Sequence, residues 1–387
     1  MKQQNKLKEG WQEVELGEIT ECLDGKRIPI TESDRKEGKV PYYGANGQVG
    51  WIDKPIFNEE LLLVAEDGGS WGKGQKCSYI IDGEAWVNNH AHVLKIIKSK
   101  AEIKFLMYWL NNSDLNKYIS GTTRGKLNQK VMNKIKILIP STHIQKKIVS
   151  ILEKAEGAKR KREEADKKTN EYLKSVFYEI FKNYLKDKNK FSRITEFVPN
   201  DKNSIKAGPF GSSLKKDCYV KSGYKIYGQE QVIKDDLSFG DYYISKDKYL
   251  ELESYKVKEG DILISLVGTY GKISIVPKNF QEGIINPRLM KITLDKEKMI
   301  PLFFKFLFNS PIIKIELENI SHGGTMDILN VGIIKKVGFP LPPLPLQQKF
   351  AKIVKQVEII KEKQKESKEK INNMFDALMQ KAFRGEL

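Results

Sequence analysis

Two kinds of hydrophobic pattern alternate along the chain, and each occurs twice. Short apolar runs rich in β-branched residues and broken by glycine, such as LLLVA at 61–65 and ILISLVG at 262–268, predict buried strands. A helical pattern follows each set, FLMYWLNN in the first half and LFFKFLFNS in the second. Long charged helices come next. In the second of these, Ile353, Val357, Ile360, Gln364, Ser367, Ile371, Met374 and Leu378 step alternately by four and three, the spacing of a coiled-coil seam. The matching positions of the first are Ile151, Ala155, Ala158, Arg162, Ala165, Thr169, Tyr172 and Val176. Small residues in one helix against large ones in the other predict that the two pack together, antiparallel. The alternative is two separate amphipathic helices, each covering its own domain. Ser141 or Thr142 is placed to cap the first helix, and Pro345 suits the first turn of the second.

The plan repeats because the sequence repeats. GTTRGKLN at 121–128 and GGTMDILN at 323–330 both fit G-x-T-x-x-x-L-N, 202 positions apart. Sliding 121–185 onto 323–387 needs no gap and gives 17 identities in 65 pairs, where ordinary composition gives about four or five. Gly121/Gly323, Asn128/Asn330, Pro140/Pro342, Gln145/Gln347 and Phe181/Phe383 are among them. Upstream the halves correspond more loosely. Gly69-Ser70-Trp71-Gly72-Lys73 aligns with Gly268-Thr269-Tyr270-Gly271-Lys272, and VNNHAHVLKI with IINPRLMKI sets Asn286 and Arg288 against His90 and His92. The expected fold class is α+β: two internally repeated, mostly-β globular domains separated by two long antiparallel coiled-coil helices. The expected boundaries are domain 1 at 1–140, a central helix at 141–187, domain 2 at 188–342 and a C-terminal helix at 343–387.

Composition adds a partner to this outline. The 387 residues carry 67 basic and 50 acidic side chains, a net of +17, which favours a polyanion such as nucleic acid. Apolar residues at 40% and charged residues at 30% suit a globular chain. Cys22, Cys77 and Cys218 are scattered and odd in number, which argues against a disulfide framework or a zinc site and fits a reducing cytoplasm. The start, MKQQNKLKEG, has no apolar core for a signal peptide, and no run is long enough to span a bilayer.

Catalytic chemistry is hard to find. GGSWGKG is one residue short of a phosphate-binding loop, and Gly74 stands where a magnesium-holding hydroxyl belongs. GTTRGKLN keeps its turn but loses its basic pair in GGTMDILN, so the octapeptide is a structural hinge and not a nucleotide cradle. His90 and His92 lie two apart with no further His or Cys to complete a metal site. Nucleophile elbows, zinc-protease helices, dinucleotide fingerprints and the D/N-P-P-Y/F tetrapeptide of amino-methyltransferases are all missing. No catalytic residue and no metal ligand is assigned.

Taken together, W-x-x-V-x-L-G-E-I at 11–19, ECLDGKRIPITESDRKEGKVPYYGANG, AGPFGSSLKKDCYVKSGYKIY, the two G-x-T-x-x-x-L-N turns and the closing LMQKAFRGEL resemble the specificity subunits of type I restriction–modification systems, HsdS, over essentially the whole chain. The lead-in to domain 2, FSRITEFVPN, departs from the W-x-x-V-x-L-G pattern and blurs the boundary near residue 190. The resemblance implies two target recognition domains, each reading one part of a split double-stranded DNA sequence. It also implies helices that act as ruler and docking surface for two methylation subunits, with restriction subunits joining the holoenzyme. S-adenosylmethionine would bind the methylation subunits, so no cofactor is expected on this chain. A helix of about 28 residues is about 42 Å long, commensurate with the roughly 34–36 Å between half-sites read by dimeric proteins. Alone, the exposed heptad faces are free to form a homodimer.

On that reading, donors and acceptors on loops are the candidates for DNA contact. In domain 1 they are Lys26, Arg27, Tyr42, Tyr43, Asn46, Gln48, Trp71, Lys73, Asn89, His90 and His92, with Arg124 and Lys126 on phosphate. In domain 2 they are Ser212, Ser213, Lys215, Lys216, Tyr227, Gln229, Gln231, Tyr270, Lys272 and Arg288. Two rivals remain open at this point: a self-contained methyltransferase or nuclease, and an oligomeric scaffold that never touches DNA.

Overall fold

The computed structural model describes residues 9–121, 123–320 and 329–387. It divides into two compact units, Met1–Glu164 with Gln364–Leu387, and Ala165–Lys363. Among the described residues no helix is long and apolar enough to cross a membrane.

In the first unit, two four-stranded sheets carry domain 1. One has the order Thr20–Cys22, Ala91–Ile96, Leu61–Ala65, Ser78–Ile81 and is antiparallel throughout. The other runs Gly47–Ile52, Val40–Gly44, Glu84–Val87, Phe57–Asn58, with its middle pair parallel. The LLLVA run is continuous because both its faces are covered. Leu62 and Val64 pack with Phe105, Leu106 and Leu110 of the helix Ile103–Asn112, while Leu61 and Leu63 face Tyr79, Val87 and Val93. A two-stranded ribbon, Trp11–Glu15 against Lys136–Pro140, joins the start of the domain to its end.

The second unit repeats this plan. Ile205–Ala207, Leu289–Ile292, Ile262–Ser265 and Ile273–Ile275 form one sheet; Tyr219–Val220, Tyr243–Ile244, Tyr224–Tyr227 and Gly283–Ile285 form the other, again with one parallel pair. Ile262 and Ile264 share a core with Phe303, Phe304 and Leu307, and Leu263 turns the opposite way. The ribbon recurs as Phe191–Arg193 against Gly338–Pro340. FSRITEF therefore does the work of the first lead-in despite its different letters. Glu196 accepts from the backbone of Arg193 at 2.8 Å as Glu18 does from Glu15 at 3.2 Å, and Leu16 and Ile194 are both fully buried.

Each unit also holds half of each long helix. In the first, Ile148 and Leu152 of the central helix (Thr142–Leu185) share a core with Met379 and Ala382 of the C-terminal helix (Leu344–Arg384). In the second, Phe177 and Phe181 meet Phe350, with ring centres 5.4 and 5.6 Å apart. The start of one helix thus meets the end of the other, and the pair is antiparallel as the heptads predicted. The seam is rotated from its expected face, however. Ile151, Tyr172, Ile360 and Met374 are 36–52% exposed; Ala155 and Val357 of the expected seam are buried, and Leu152, Leu173 and Val354 beside it are buried as well. The reason lies at the helix ends, where the buried face continues into the domain cores through Ile148, Phe181 and Phe350. Those contacts fix the helix rotation.

The repeated glutamines lock each helix to its domain. Gln145 and Gln347 are fully buried. Gln145 donates to the carbonyls of Pro140 (2.8 Å) and Lys100 (3.2 Å) and accepts from the backbone of Glu102 (2.8 Å). Gln347 makes the same three bonds to Pro342, Lys298 and Ile300, at 2.8, 2.9 and 2.9 Å. One side chain satisfies three backbone groups that would otherwise be buried unpaired, a task that needs the two donors and the acceptor of an amide.

Candidate nucleic-acid interface

The loops that leave the strands gather into one rim on each domain, on the same hydrogen-bonded frame. In domain 1 the Asn88 backbone donates to Tyr43 (3.0 Å), and the Asn88 carboxamide accepts from the backbone of His90 (2.9 Å). Glu66 then donates to the His90 carbonyl (2.9 Å), and Leu127 of the repeat turn donates to the Glu66 carbonyl (2.7 Å). In domain 2 the chain of bonds runs Asn286 to Tyr227 (2.8 Å), Arg288 to the Asn286 carboxamide (2.9 Å), Leu266 to Arg288 (3.0 Å) and Leu329 to Leu266 (2.8 Å). Gly68 and Gly268 both sit at φ +64, where a side chain would be strained. Most of the second repeat turn, 323–328, lies outside the described residues.

This frame corrects two expected correspondences. His90, not His92, occupies the place of Arg288, and His92 matches the buried Met290. Gly68, not Gly69, is the counterpart of Gly268, so Trp71 and Tyr270 are not equivalents. Matching the aromatic, glycine and lysine of the two loops shifted the register by one from that of the strands, where Gly68 and Gly268 stand 200 positions apart.

The rims differ in charge. In domain 1, half-buried Asp24, Arg27 and Glu66 cluster around the buried His92: Arg27 lies 2.7 Å from Glu66 and 3.2 Å from Asp24, and His92 Nδ1 lies 2.5 Å from Asp24. His92 Nε2 faces the Leu127 carbonyl at 2.7 Å, so both ring nitrogens meet acceptors. Burial alone would raise the carboxyl groups of Asp24 and Glu66. Their bonds to His92, Arg27, Lys126 and the Val93 backbone outweigh it and hold both below the usual carboxylate range. Burial pushes the neighbouring Cys22 thiol up to about 11. Donor atoms of Cys22, Asp24 and His92 cluster within 4.8 Å, a spacing a metal could use. Asp24 and His92 are nevertheless engaged with each other and with the guanidinium, which is the chemistry of an ion-pair cluster.

Arg124 and Lys126, expected on phosphate, are exposed, and each also makes an ion pair at the rim: Arg124 with Asp67 at 2.7 Å and Lys126 with Glu66 at 3.0 Å. His90 Nδ1 also lies 2.8 Å from Asp67. Domain 2 has Leu266 and Val267 at the places of Glu66 and Asp67, and its turn has Met326 and Ile328 in place of the basic pair. The two sides of each contact change together.

Of the other expected contact residues, Lys26, Asn46, Gln48, Lys73, Asn89, Lys215, Lys216, Lys272 and Arg288 are exposed, and Tyr270 is 36% exposed. Asn46 reaches Gly68 across the rim at 3.1 Å. Gln48 bonds locally to Gly50 at 3.1 Å. Arg27, Tyr43, Ser213 and Gln229 are half-buried, Gln229 donating to the Val267 carbonyl. Five residues expected at DNA are inside the domains. Tyr42 packs with Trp86 and Ile52, the Trp71 indole donates to Ala65 (3.3 Å), and His92 belongs to the cluster above. Tyr227 donates to Gln281 (2.5 Å), and Gln231 accepts from Gly228 (2.9 Å). The side chain of Ser212 lies outside the described residues. Sequence reasoning passed over Asn88 and Asn286, whose carboxamides shape the rim, although their alignment at a slightly different offset was a usable signal.

The family model described as type I restriction modification DNA specificity domain matches residues 8–167 and 199–373. The chain belongs to the type I restriction–modification specificity-subunit family. A Haemophilus influenzae chain assigned as a type I restriction enzyme specificity subunit is 30% identical, over 92% of this chain and 90% of that one. The Methanocaldococcus jannaschii MjaVIII specificity subunit is 23% identical over 99% and 94%, and the Escherichia coli EcoBI specificity subunit 21% over 98% and 87%. The fold is shared with the solved S subunit from M. genitalium (TM-score 0.58, 14% identity, 99% of this chain and 98% of that one). A chain solved in a study of type I system assembly and conformational transition gives TM-score 0.60 at 18% identity, covering 99% of this specificity subunit and 100% of that chain. The work of this family member is DNA target recognition.

Proposed function

We propose that each rim reads one half of a bipartite double-stranded DNA site, and that the chain itself holds no catalytic residue. The observation that carries this reading is a constant frame bearing different side chains. The same backbone bonds place His90 and Asp67 on one rim and Arg288 and Val267 on the other, as a reader of two unlike half-sites requires. The antiparallel helices set the spacing between the half-sites and dock two methylation subunits. Those partners bring S-adenosylmethionine and the chemistry on adenine, and restriction subunits join them in the cytoplasm. Without partners, the exposed Tyr172 and Ile360 of the second unit supply apolar helix surface on which two copies pair.

Methylome sequencing of a host with and without this gene tests the reading directly. A split motif that disappears with the gene is the expected result. In vitro, the Arg288→Ala complex should lose affinity for the second half-site alone and lower the salt slope of binding by about one. Methyl transfer by the purified chain without partners would sink the proposal in favour of a self-contained enzyme. Binding that ignores salt would favour a scaffold.

A further inference from the structure

Domain 2 presents an aromatic ring to solvent at the tip of a stiff loop. Phe210 is 81% exposed, the most open of the large apolar side chains among the described residues. Its two predecessors are the reverse, since Gly208 and Pro209 are buried. Gly208 donates to the Leu289 carbonyl at 2.8 Å, and a Cβ added there would lie 1.9 Å from the carbonyl oxygen of Asn286. Only glycine lets the loop lie this close to the segment that holds Arg288. On the far side a tight turn runs Gly211–Leu214, and Leu214 enters a core with Ile226, Ile244 and Ile284. The ring is thus held out by anchors on both sides of it.

We propose that Phe210 is a wedge that enters the base stack of the half-site read by domain 2, a role that rests on the rim facing DNA. An exposed apolar ring held on a pre-ordered loop loses little freedom on insertion. Apolar side chains of this kind part adjacent base pairs and kink the duplex, and base–aromatic stacking works with any base because each has a π-face. The surroundings select the occupant: Lys215 and Lys216, exposed just beyond the turn, suit the phosphates flanking a parted step, and Arg288 stands on the segment the loop packs against. Domain 1 carries a smaller residue on the corresponding loop, Ile28, 52% exposed and with its carbonyl held by the Trp86 indole at 3.1 Å. Insertion is therefore a property of domain 2.

The test uses the full chain assembled with its methylation subunits on duplexes of the methylome-defined site. 2-Aminopurine is placed at successive steps of the second half-site. The wild-type complex should raise fluorescence at one step in a way that Phe210→Ala abolishes and Phe210→Trp preserves. Phe210→Leu, which keeps apolar bulk without a π-face, should give an intermediate signal. Methylation of the site should fall about tenfold with Phe210→Ala while complex assembly is unchanged. A fluorescence profile identical in wild type and Phe210→Ala overturns the wedge, and so does a Phe210→Ala chain that no longer binds methylation subunits, since the ring would then be a protein contact. If the profile is unchanged while Arg288→Ala still weakens the second half-site, the wedge falls and the rim reading stands. If Arg288→Ala and Lys215→Ala also leave DNA binding unaltered, the rim reading itself falls.

Discussion

The two recognition domains share a backbone frame and disagree about what fills it. Domain 1 secures its repeat turn with charge, Arg124 and Lys126 on Asp67 and Glu66, over the cluster of Asp24, Arg27 and His92. Domain 2 has Leu266, Val267 and Met290 at the matching places, and Arg288 is exposed with no ion pair among the described residues. The difference teaches that rim charge and rim geometry are separable. The bonds through Asn88 and Asn286 set the geometry, and the charges decide how much positive field is left for a partner. On the domain 1 rim Arg27, Arg124 and Lys126 are paired with carboxylates, whereas on the domain 2 rim Arg288 has no ion pair among the described residues.

The largest expected effect comes from breaking the cluster. Arg27→Ala leaves half-buried Asp24 and Glu66 beside one fewer cation and should cost domain 1 about 3–5 kcal/mol in denaturant unfolding, while Arg288→Ala should cost domain 2 under about 0.5 kcal/mol. Equal losses would mean that the charged cluster is not what distinguishes the domains.

Acid should separate the domains next. The carboxyl groups of Asp24 and Glu66 are held below their ordinary values near 3.8 and 4.5, so their contribution is present above those values and is lost as pH falls through the lower, folded ones. Asp261 in domain 2 is raised instead, chiefly by burial. Its contribution has the opposite sign, favouring the folded state below its ordinary value near 3.8 and fading as pH rises through the folded one. Hydrogen exchange followed from pH 5 down to 3 should therefore show domain 1 opening before domain 2. The reverse order would contradict the assignment.

The smallest effects should come from the helix faces the sequence favoured. Ile360→Ala and Met374→Ala, on exposed positions, should each change stability by less than about 0.5 kcal/mol, whereas Val354→Ala, on the buried face, should cost about 1–3 kcal/mol. Thermal unfolding distinguishes the two seams directly.

These contrasts also show what a linear reading can reach. The repeat and the two long helices were legible because each depends on residues close in sequence or on a fixed offset, whereas the Gln145/Gln347 identity was visible without its locking role. The partners of Arg124 and Lys126 were not, since Asp67 and Glu66 lie some sixty residues upstream. The helix rotation was missed because heptad spacing leaves neighbouring faces nearly equivalent, and Phe350 and Phe181 chose between them by entering the domain cores. Tyr42, Trp71, Tyr227 and Gln231 looked like reading residues because aromatic and amide groups serve cores and surfaces alike, and only burial separates the two uses.

The contact between Phe105 and Phe383, with rings 5.5 Å apart, joins residues about 280 positions apart. At roughly 5–20 residues per second, some 15–55 s of synthesis separates their appearance at the ribosome. The first unit, begun first, is thus finished last, because Gln364–Leu387 belongs to it. The second unit is continuous in sequence and can close while the first still waits. The sheets of the first unit are thus synthesised long before Gln364–Leu387, the helix segment that completes its core.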